Sequence, residues 1–407
     1  MKLSPILSLC CVLVSLMGCS SSSDDPPPNS VIEVNGDPNV FVKDTVMNLG
    51  EEEIPKDFFD TSMKYFVFVR GFVEAELAPI EKESETVESR VKQQTPLESQ
   101  DDYLNALKEM TEKQTAKVVL GSNEASFESI GGGLDLTLVK FVKSESGGFS
   151  FNKKYLEDVS KADKTGSNIR LLHISVKKDE TAVSVLFSGN SGGKRFVVAY
   201  EIQKREDLSL NLTFLDKAYK YMLGPGLRTG WSQDHSVELS TCEFISNPEL
   251  SRSVSQGVAP WAAVLKNRLD LSEKIYKKCP PFSDLNFHGF YFIRDWIEVL
   301  GDYGVLGRAS NSYDLRRGEI IDSDIFILLS EWDEGLSKQG VDVFKPGVLS
   351  SNPKVKEMMI STFIHEIGHF LGLHHQFDGT ASVMSYEKGS RLHLTSYDKK
   401  AVQALYP

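Results

Sequence analysis

His365-Glu366-Ile367-Gly368-His369-Phe370-Leu371-Gly372-Leu373-His374-His375 reads HExxHxxGxxH, and the 407-residue chain is understood outward from it. On a helix, His365 and His369 stand four residues apart and project from one face. Two neutral imidazoles at that separation can grip one metal ion, and zinc is the usual guest of nitrogen ligands. Glu366 puts a carboxylate beside the metal's open position, where it can take a proton from water. Gly372 stops the helix, because glycine enters the left-handed conformation at little cost. The chain then turns, and His375 can return as a third ligand. Three protein ligands and one open position describe a catalytic zinc site rather than a closed structural one. One zinc ion is therefore the expected cofactor. His374 points elsewhere on the turn.

Ser382-Val383-Met384-Ser385-Tyr386 follows, and with HExxHxxGxxH it resembles the methionine turn of the metzincin clan of metalloproteases. The resemblance implies that Met384 floors the three imidazoles without binding the metal. The short link from His375 to Met384 is similar to that of matrixins, whereas Tyr386 resembles the tyrosine of astacins and serralysins. There it can ligate zinc or swing to the scissile carbonyl, and the alternative is a phenol that packs under the site. His375 is followed by Gln376, which departs from the named metzincin families.

The implied fold is α+β: a metzincin-like catalytic domain over 207–407, with a twisted mixed sheet, an active-site helix and a C-terminal helix. Val237 to Phe244 would be its first strand, and Ala259 to Lys278 a long amphipathic helix with Trp261, Leu265, Leu269 and Ile275 on its apolar side. Phe287 to Ile293 and Ile321 to Leu329 read as further strands. By resemblance the latter is the sheet edge beside the cleft, with Ile325, Phe326 and Ile327 offering backbone groups to an extended peptide. The active-site helix would run from Asn352 to Leu373. Thr395 with Asp398 three residues on fits a capping box opening the last helix.

Ahead of this lies a β-rich region, 31–206. Tyr65 to Val69, Leu134 to Val139, Ile169 to Val176, Ala182 to Phe187 and Arg195 to Ile202 are strand candidates, and Tyr103 to Met110 has helical periodicity. A small sandwich is one arrangement of these strands. Val40 to Val42 is a weaker strand candidate, and His173 reads as structural. The region could be a propeptide, an accessory domain or a spacer.

The amino terminus bears on location. A positive start and an apolar run from Pro5 to Met17 read as a secretory signal. Leu16-Met17-Gly18-Cys19 resembles the lipobox of bacterial lipoproteins, which implies that Cys19 is lipidated and that residues 1–19 are the signal. Residues 20–30 are a polar, proline-rich tether. The expected setting is the bacterial cell envelope, with the protein lipid-anchored at the outer membrane or cell surface. Cys242 and Cys279 remain, and they form either a bridge or two buried thiols. A bridge would close a loop of about 37 residues and add roughly 3–4 kcal/mol. A net charge of −12 argues against a nucleic-acid partner. The expected partners are a protein or peptide substrate and, through the anchor, a membrane.

The expected activity is hydrolysis of internal peptide bonds. Two other classes stay open: a non-catalytic zinc-binding surface lipoprotein for adhesion or docking, and a zinc hydrolase of a cell-wall amide.

Overall fold

The computed structural model describes residues 52–74, 100–162, 168–191, 194–205, 209–232, 236–244, 247–277, 279–293, 296–298, 306–337, 339–376, 379–385 and 391–407. Cys19, Tyr386 and the strand expected at 40–42 lie outside them.

Strand β1 (Lys64–Glu74) is the hub of the first half. Its even-numbered side chains Phe66, Phe68, Arg70 and Phe72 lie on one face, and Tyr65, Val67 and Val69 on the other. After α1 (Gln100–Lys113) come β2 (Thr115–Leu120), β3 (Glu124–Ser129), β4 (Lys140–Lys143), β5 (Phe149–Phe151), α2 (Lys153–Ala162), β6 (Arg170–Val176), β7 (Ala182–Ser191) and β8 (Lys194–Arg205). They form one sheet in the order β5-β4-β3-β2-β1-β8-β7-β6, not the small sandwich that the strand spacing allowed. Its pairings among β1–β8 are antiparallel, and β8 runs along β1 from Lys64↔Arg205 to Val73↔Phe196.

Leu134 to Val139 is not a strand. Asp135 accepts hydrogen bonds from the Thr137 N–H (3.1 Å) and Oγ1 (2.6 Å), which diverts the backbone into a turn. The apolar residues Leu134, Leu136 and Leu138 are still buried, so the alternation reports burial without a ladder.

The second half continues with β9 (Lys220–Tyr221), β10 (Gly224–Pro225), β11 (Gly230–Trp231), β12 (Val237–Cys242), α3 (Pro248–Leu265), β13 (Leu271–Tyr276), β14 (Gly289–Ile293), β15 (Trp296–Glu298), β16 (Gly307–Asp314) and β17 (Glu319–Leu328). Helices α4 (Leu329–Ser337), α5 (Val348–Ser351), α6 (Pro353–Phe370) and α7 (Ser396–Leu405) complete it. The main sheet runs β11-β17-β14-β12-β13, with β16 on β17. Pairings within it are parallel except for β16 on β17. Strand β15 instead pairs with β1, Phe72↔Glu298 to Glu74↔Trp296.

Two expectations are corrected here. The long helix expected over 259–278 is α3 followed by strand β13. Pro248 at the first helical position and Glu249 in the first turn open α3 upstream of the expected start. The alternating Leu-Ser-Glu-Lys-Ile-Tyr then pairs in parallel with β12, which leaves Ile275 exposed. The expected cleft edge is also displaced. Ile325, Phe326 and Ile327 sit on an internal strand, between β14 and β16. Among the described residues β16 pairs with β17 alone, and it is the edge.

Cys242 and Cys279 are joined in a disulfide with Cα atoms 5.9 Å apart. The bridge ties β12 to the segment leading into β14.

Candidate metal centre

Helix α6 carries the first half of the site. Its inward side chains Val355, Met359, Phe363, Ile367 and Phe370 are buried. They recur at helical spacing and press the helix onto α3 and the sheet. Gly257 of α3 permits the contact, since a Cβ there would lie 2.8 Å from Phe363 Cβ. Trp261 Nε1 donates to the Ile364 carbonyl at 2.9 Å.

The helix ends at Phe370, and Gly372 adopts φ +98°. A Cβ at Gly372 would stand 1.7 Å from the Thr229 carbonyl oxygen, so only glycine fits. The carbonyls around this turn are held from several parts of the chain. Asn311 Nδ2 donates to His369 O (2.8 Å), Trp231 Nε1 to Phe370 O (2.8 Å) and Tyr406 OH to Leu371 O (2.9 Å). The Met222 N–H donates to Gly372 O at 3.0 Å. A helix terminus otherwise leaves such acceptors without partners.

The turn brings His375 back. His365, His369 and His375 form one cluster whose ligand atoms lie within 4.8 Å of one another. Their Nε2 atoms are 3.2 Å (365–369), 2.8 Å (369–375) and 3.1 Å (365–375) apart. Zn–N bonds of about 2.0–2.1 Å in a tetrahedron place nitrogens about 3.3–3.4 Å apart, so the cluster needs only slight expansion to accept the ion. His365 Nδ1 lies 2.8 Å from Val383 O, and His369 Nδ1 2.7 Å from Leu373 O. A carbonyl only accepts, so those Nδ1 atoms carry the proton and each Nε2 presents a lone pair. Burial holds all three imidazoles below their ordinary pKa, His369 and His375 well below it, with neighbouring imidazoles adding to the shift in those two. Each effect favours the neutral ligand form. The donor set, its tautomers and its convergence fit zinc.

Met384 is buried. A Cβ on Gly368 would lie 2.3 Å from its sulfur, so this glycine lets the thioether press against α6. Asp398 holds the methionine turn in place. Its carboxylate accepts from the N–H of Val383 (3.1 Å) and from Ser382 Oγ, while Thr395 N–H also donates to it (2.7 Å). The capping box on α7 is present, and its acid serves the turn as well. The second task was not readable from Thr395 and Asp398 alone.

Glu366 lies beside the cluster and is 1% exposed. The Ala309 N–H on β16 donates to its carboxylate, and Oε2 is buried without a hydrogen-bond partner among the described residues. Burial pushes its pKa up to about 8, against the opposing pull of Arg308 and the Ala309 N–H. Gly307 makes room for it, since a Cβ there would fall 2.9 Å from Glu366 Cγ.

The cavity over these groups is lined by Met222, Arg308, Ala309, Glu366, His369, His374 and His375. Met222 follows β9, where Tyr221 bridges Leu373 and the His374 N–H donates to Lys220 O at 3.0 Å. Nothing in the motifs read above marks this stretch. Its Gly-Pro-Gly turn at 224–226 was the available signal, and the structure places β10 there beside β9. His374 lines the cavity but is not one of the three clustered histidines.

Residues 294–407 match the family model of the matrixins. Together with the three-histidine cluster, the match makes this part of the chain metzincin-like and indicates a zinc metallopeptidase. No curated protein matches the chain. The matrixin match takes in β15, β16, β17, α6, the methionine turn and α7, while α3 and strands β1–β8 lie outside it.

Proposed function

We propose that the chain is a zinc endopeptidase in which Glu366 is the general base. The observation that carries this reading is the placement of one buried, half-satisfied carboxylate beside three converging imidazoles. His365, His369 and His375 would hold one zinc ion, which would polarise a substrate carbonyl and lower the pKa of its water. Glu366 Oε2, lacking a partner, is poised to accept the proton of a water attacking the carbonyl and to pass it to the leaving amine. A bound dication would draw the pKa of Glu366 back down and favour the ionised base.

Strand β16 is the proposed seat for substrate. Among the described residues its outer edge carries no further strand, and it can take an extended peptide there, with Ala309, whose N–H donates to Glu366, close to the base. Tyr386, two residues beyond Met384, is proposed to assist at the carbonyl oxygen. Met222, in the turn of the β9–β10 hairpin, lines the same cavity as the base.

We further propose that residues 1–19 are a lipoprotein signal with Cys19 as the acylated residue, that 20–30 is a tether, and that the enzyme works on proteins at the cell envelope. Intact-mass measurement of the membrane-associated protein tests this. A diacyl or triacyl adduct on Cys19 is expected, and an unmodified thiol would refute the anchor.

The deciding experiment compares wild type with Glu366→Ala, both lacking residues 1–19. Zinc is measured per chain, and cleavage of an unstructured protein such as casein is followed with and without chelator. About one zinc in each protein with chelator-sensitive cleavage in wild type alone is the expected result. Loss of zinc in Glu366→Ala would make that residue structural and overturn the scheme.

A further inference from the structure

The N-terminal sheet is apolar on both faces. Tyr65, Val67, Val183, Val185, Phe187, Val198, Tyr200 and Ile202 enter its own core. The alternate residues Phe72, Leu186, Val197 and Ala199 pack instead with Phe282, Tyr291, Ile293, Phe326 and Leu328 of the second half. Those five lie on or beside β14 and β17, and the Cys242–Cys279 bridge sits in the same cluster.

Arg70 crosses this seam and is buried. It pairs with Glu201 of its own sheet and with Asp322 (2.6 Å) and Asp324 (3.0 Å) of β17, and donates to the Phe282 carbonyl at 3.0 Å. All three carboxylates are fully buried, and His288 Nδ1 lies 3.0 Å from Asp322. Around this centre run polar contacts. Arg205 donates to Asp314 (2.7 Å), Asn286 Nδ2 to the Val176 carbonyl (2.9 Å) and the Lys178 N–H to Asn286 Oδ1 (3.0 Å). Main-chain pairing of β15 with β1 adds a strand from one half to the sheet of the other.

We propose that the outer face of the β11–β17 sheet is a permanent interface whose partner is the chain's own N-terminal sheet. A chain cut between the halves therefore stays together as a two-chain complex. Separation would bare a row of aromatic and aliphatic side chains on each side, and soluble monomers seldom expose such contiguous faces. It would also strip Asp322 and Asp324 of their cation and leave Arg70 with one acid in place of three. An apolar centre with a polar rim is the anatomy of a stable interface. The N-terminal sheet is thus a lasting layer of the molecule.

The test places a specific protease recognition sequence at 206–208 in the full chain and cuts the purified protein. Coelution of both fragments on gel filtration near neutral pH is expected. Separate elution of the fragments overturns the proposal. In the cut protein, Arg70→Ala is expected to weaken association about 100-fold, in line with truncation of a buried charged partner. A change below about tenfold would remove Arg70 from the role given it. If the inserted sequence prevents folding, hydrogen exchange on the uncut wild type decides. Opening of β1 and β8 together with β17 supports a single unit, and exchange of β1 and β8 while β17 stays protected refutes it.

Discussion

Asp398 accepts the backbone N–H of Val383 at 3.1 Å, and the carbonyl of that same residue receives His365 Nδ1 at 2.8 Å. A carboxylate on the last helix thereby fixes the orientation of a candidate metal ligand through one intervening residue. Replacing Asp398 with alanine leaves the N–H of Val383 and the hydroxyl of Ser382 without their acceptor and removes the side-chain half of the α7 capping box that holds the Thr395 N–H. A stability loss of about 2–4 kcal/mol is expected, with zinc affinity lower by about 10- to 100-fold. Denaturant unfolding and competitive zinc titration check the two effects separately.

Glu366→Gln keeps the shape of the side chain and removes its basicity. Turnover is expected to fall by about 100-fold or more, with KM and zinc content close to wild type. Steady-state kinetics beside elemental analysis shows whether the loss lies in the chemical step.

Gly368 and Met384 are coupled by contact. Gly368→Ala forces a methyl group against the sulfur and is expected to cost about 1–3 kcal/mol. Met384→Ala in that background should cost less than it does in wild type, because the clash is already relieved. Additive losses in this double-mutant cycle would show that the sulfur does not limit the approach.

Met222 roofs the metal centre. Met222→Gly should let a chelator strip zinc faster and raise kcat/KM for a peptide substrate, by about tenfold if the roof is a closure weighted by roughly 1.4 kcal/mol. Unchanged stripping rates would place the barrier elsewhere.

The pH dependence of stability follows from the acids around Arg70. Burial, reinforced by the nearby Asp322, pushes Glu201 above the usual carboxylate range and Asp324 well above it. The folded chain therefore holds protons that the unfolded chain releases near pH 4. Stability should decline as pH climbs from there through the raised folded-state values. Asp324→Asn carries no such proton, so its denaturant midpoint should vary less with pH than that of wild type. Arg70, His288 and Tyr291 face the same cluster, and only the difference between the two slopes isolates Asp324.

The metal centre was the most legible part of the chain because its chemistry is local. His365, Glu366, His369, Gly372 and His375 lie within eleven residues, and their geometry is set by one helix and one turn. The strands at 65–69, 170–176 and 182–187 were legible from alternation. Where the reading failed, a nonlocal partner decided. Leu271 to Tyr276 became a strand because β12 offers it a ladder, and β17 became internal because β16 folds back onto it. The Gly-Pro-Gly turn marks a bend, but the docking of Lys220 to Met222 was not readable, because it is made through backbone groups near residue 373, which leave no mark on side-chain pattern. The same holds for Arg70, whose two acids on β17 lie some 250 positions further on.

The turn after α6 has a consequence for how the metal arrives. Donors from Asn311, Trp231, Tyr406 and Met222 hold its carbonyls, and Val383 and Leu373 orient two of the rings. None of these bonds needs an ion to form. Loading is then uncoupled from folding, unlike small zinc modules that collapse only around their metal. Such a chain can fold before its metal arrives and survive being emptied and refilled.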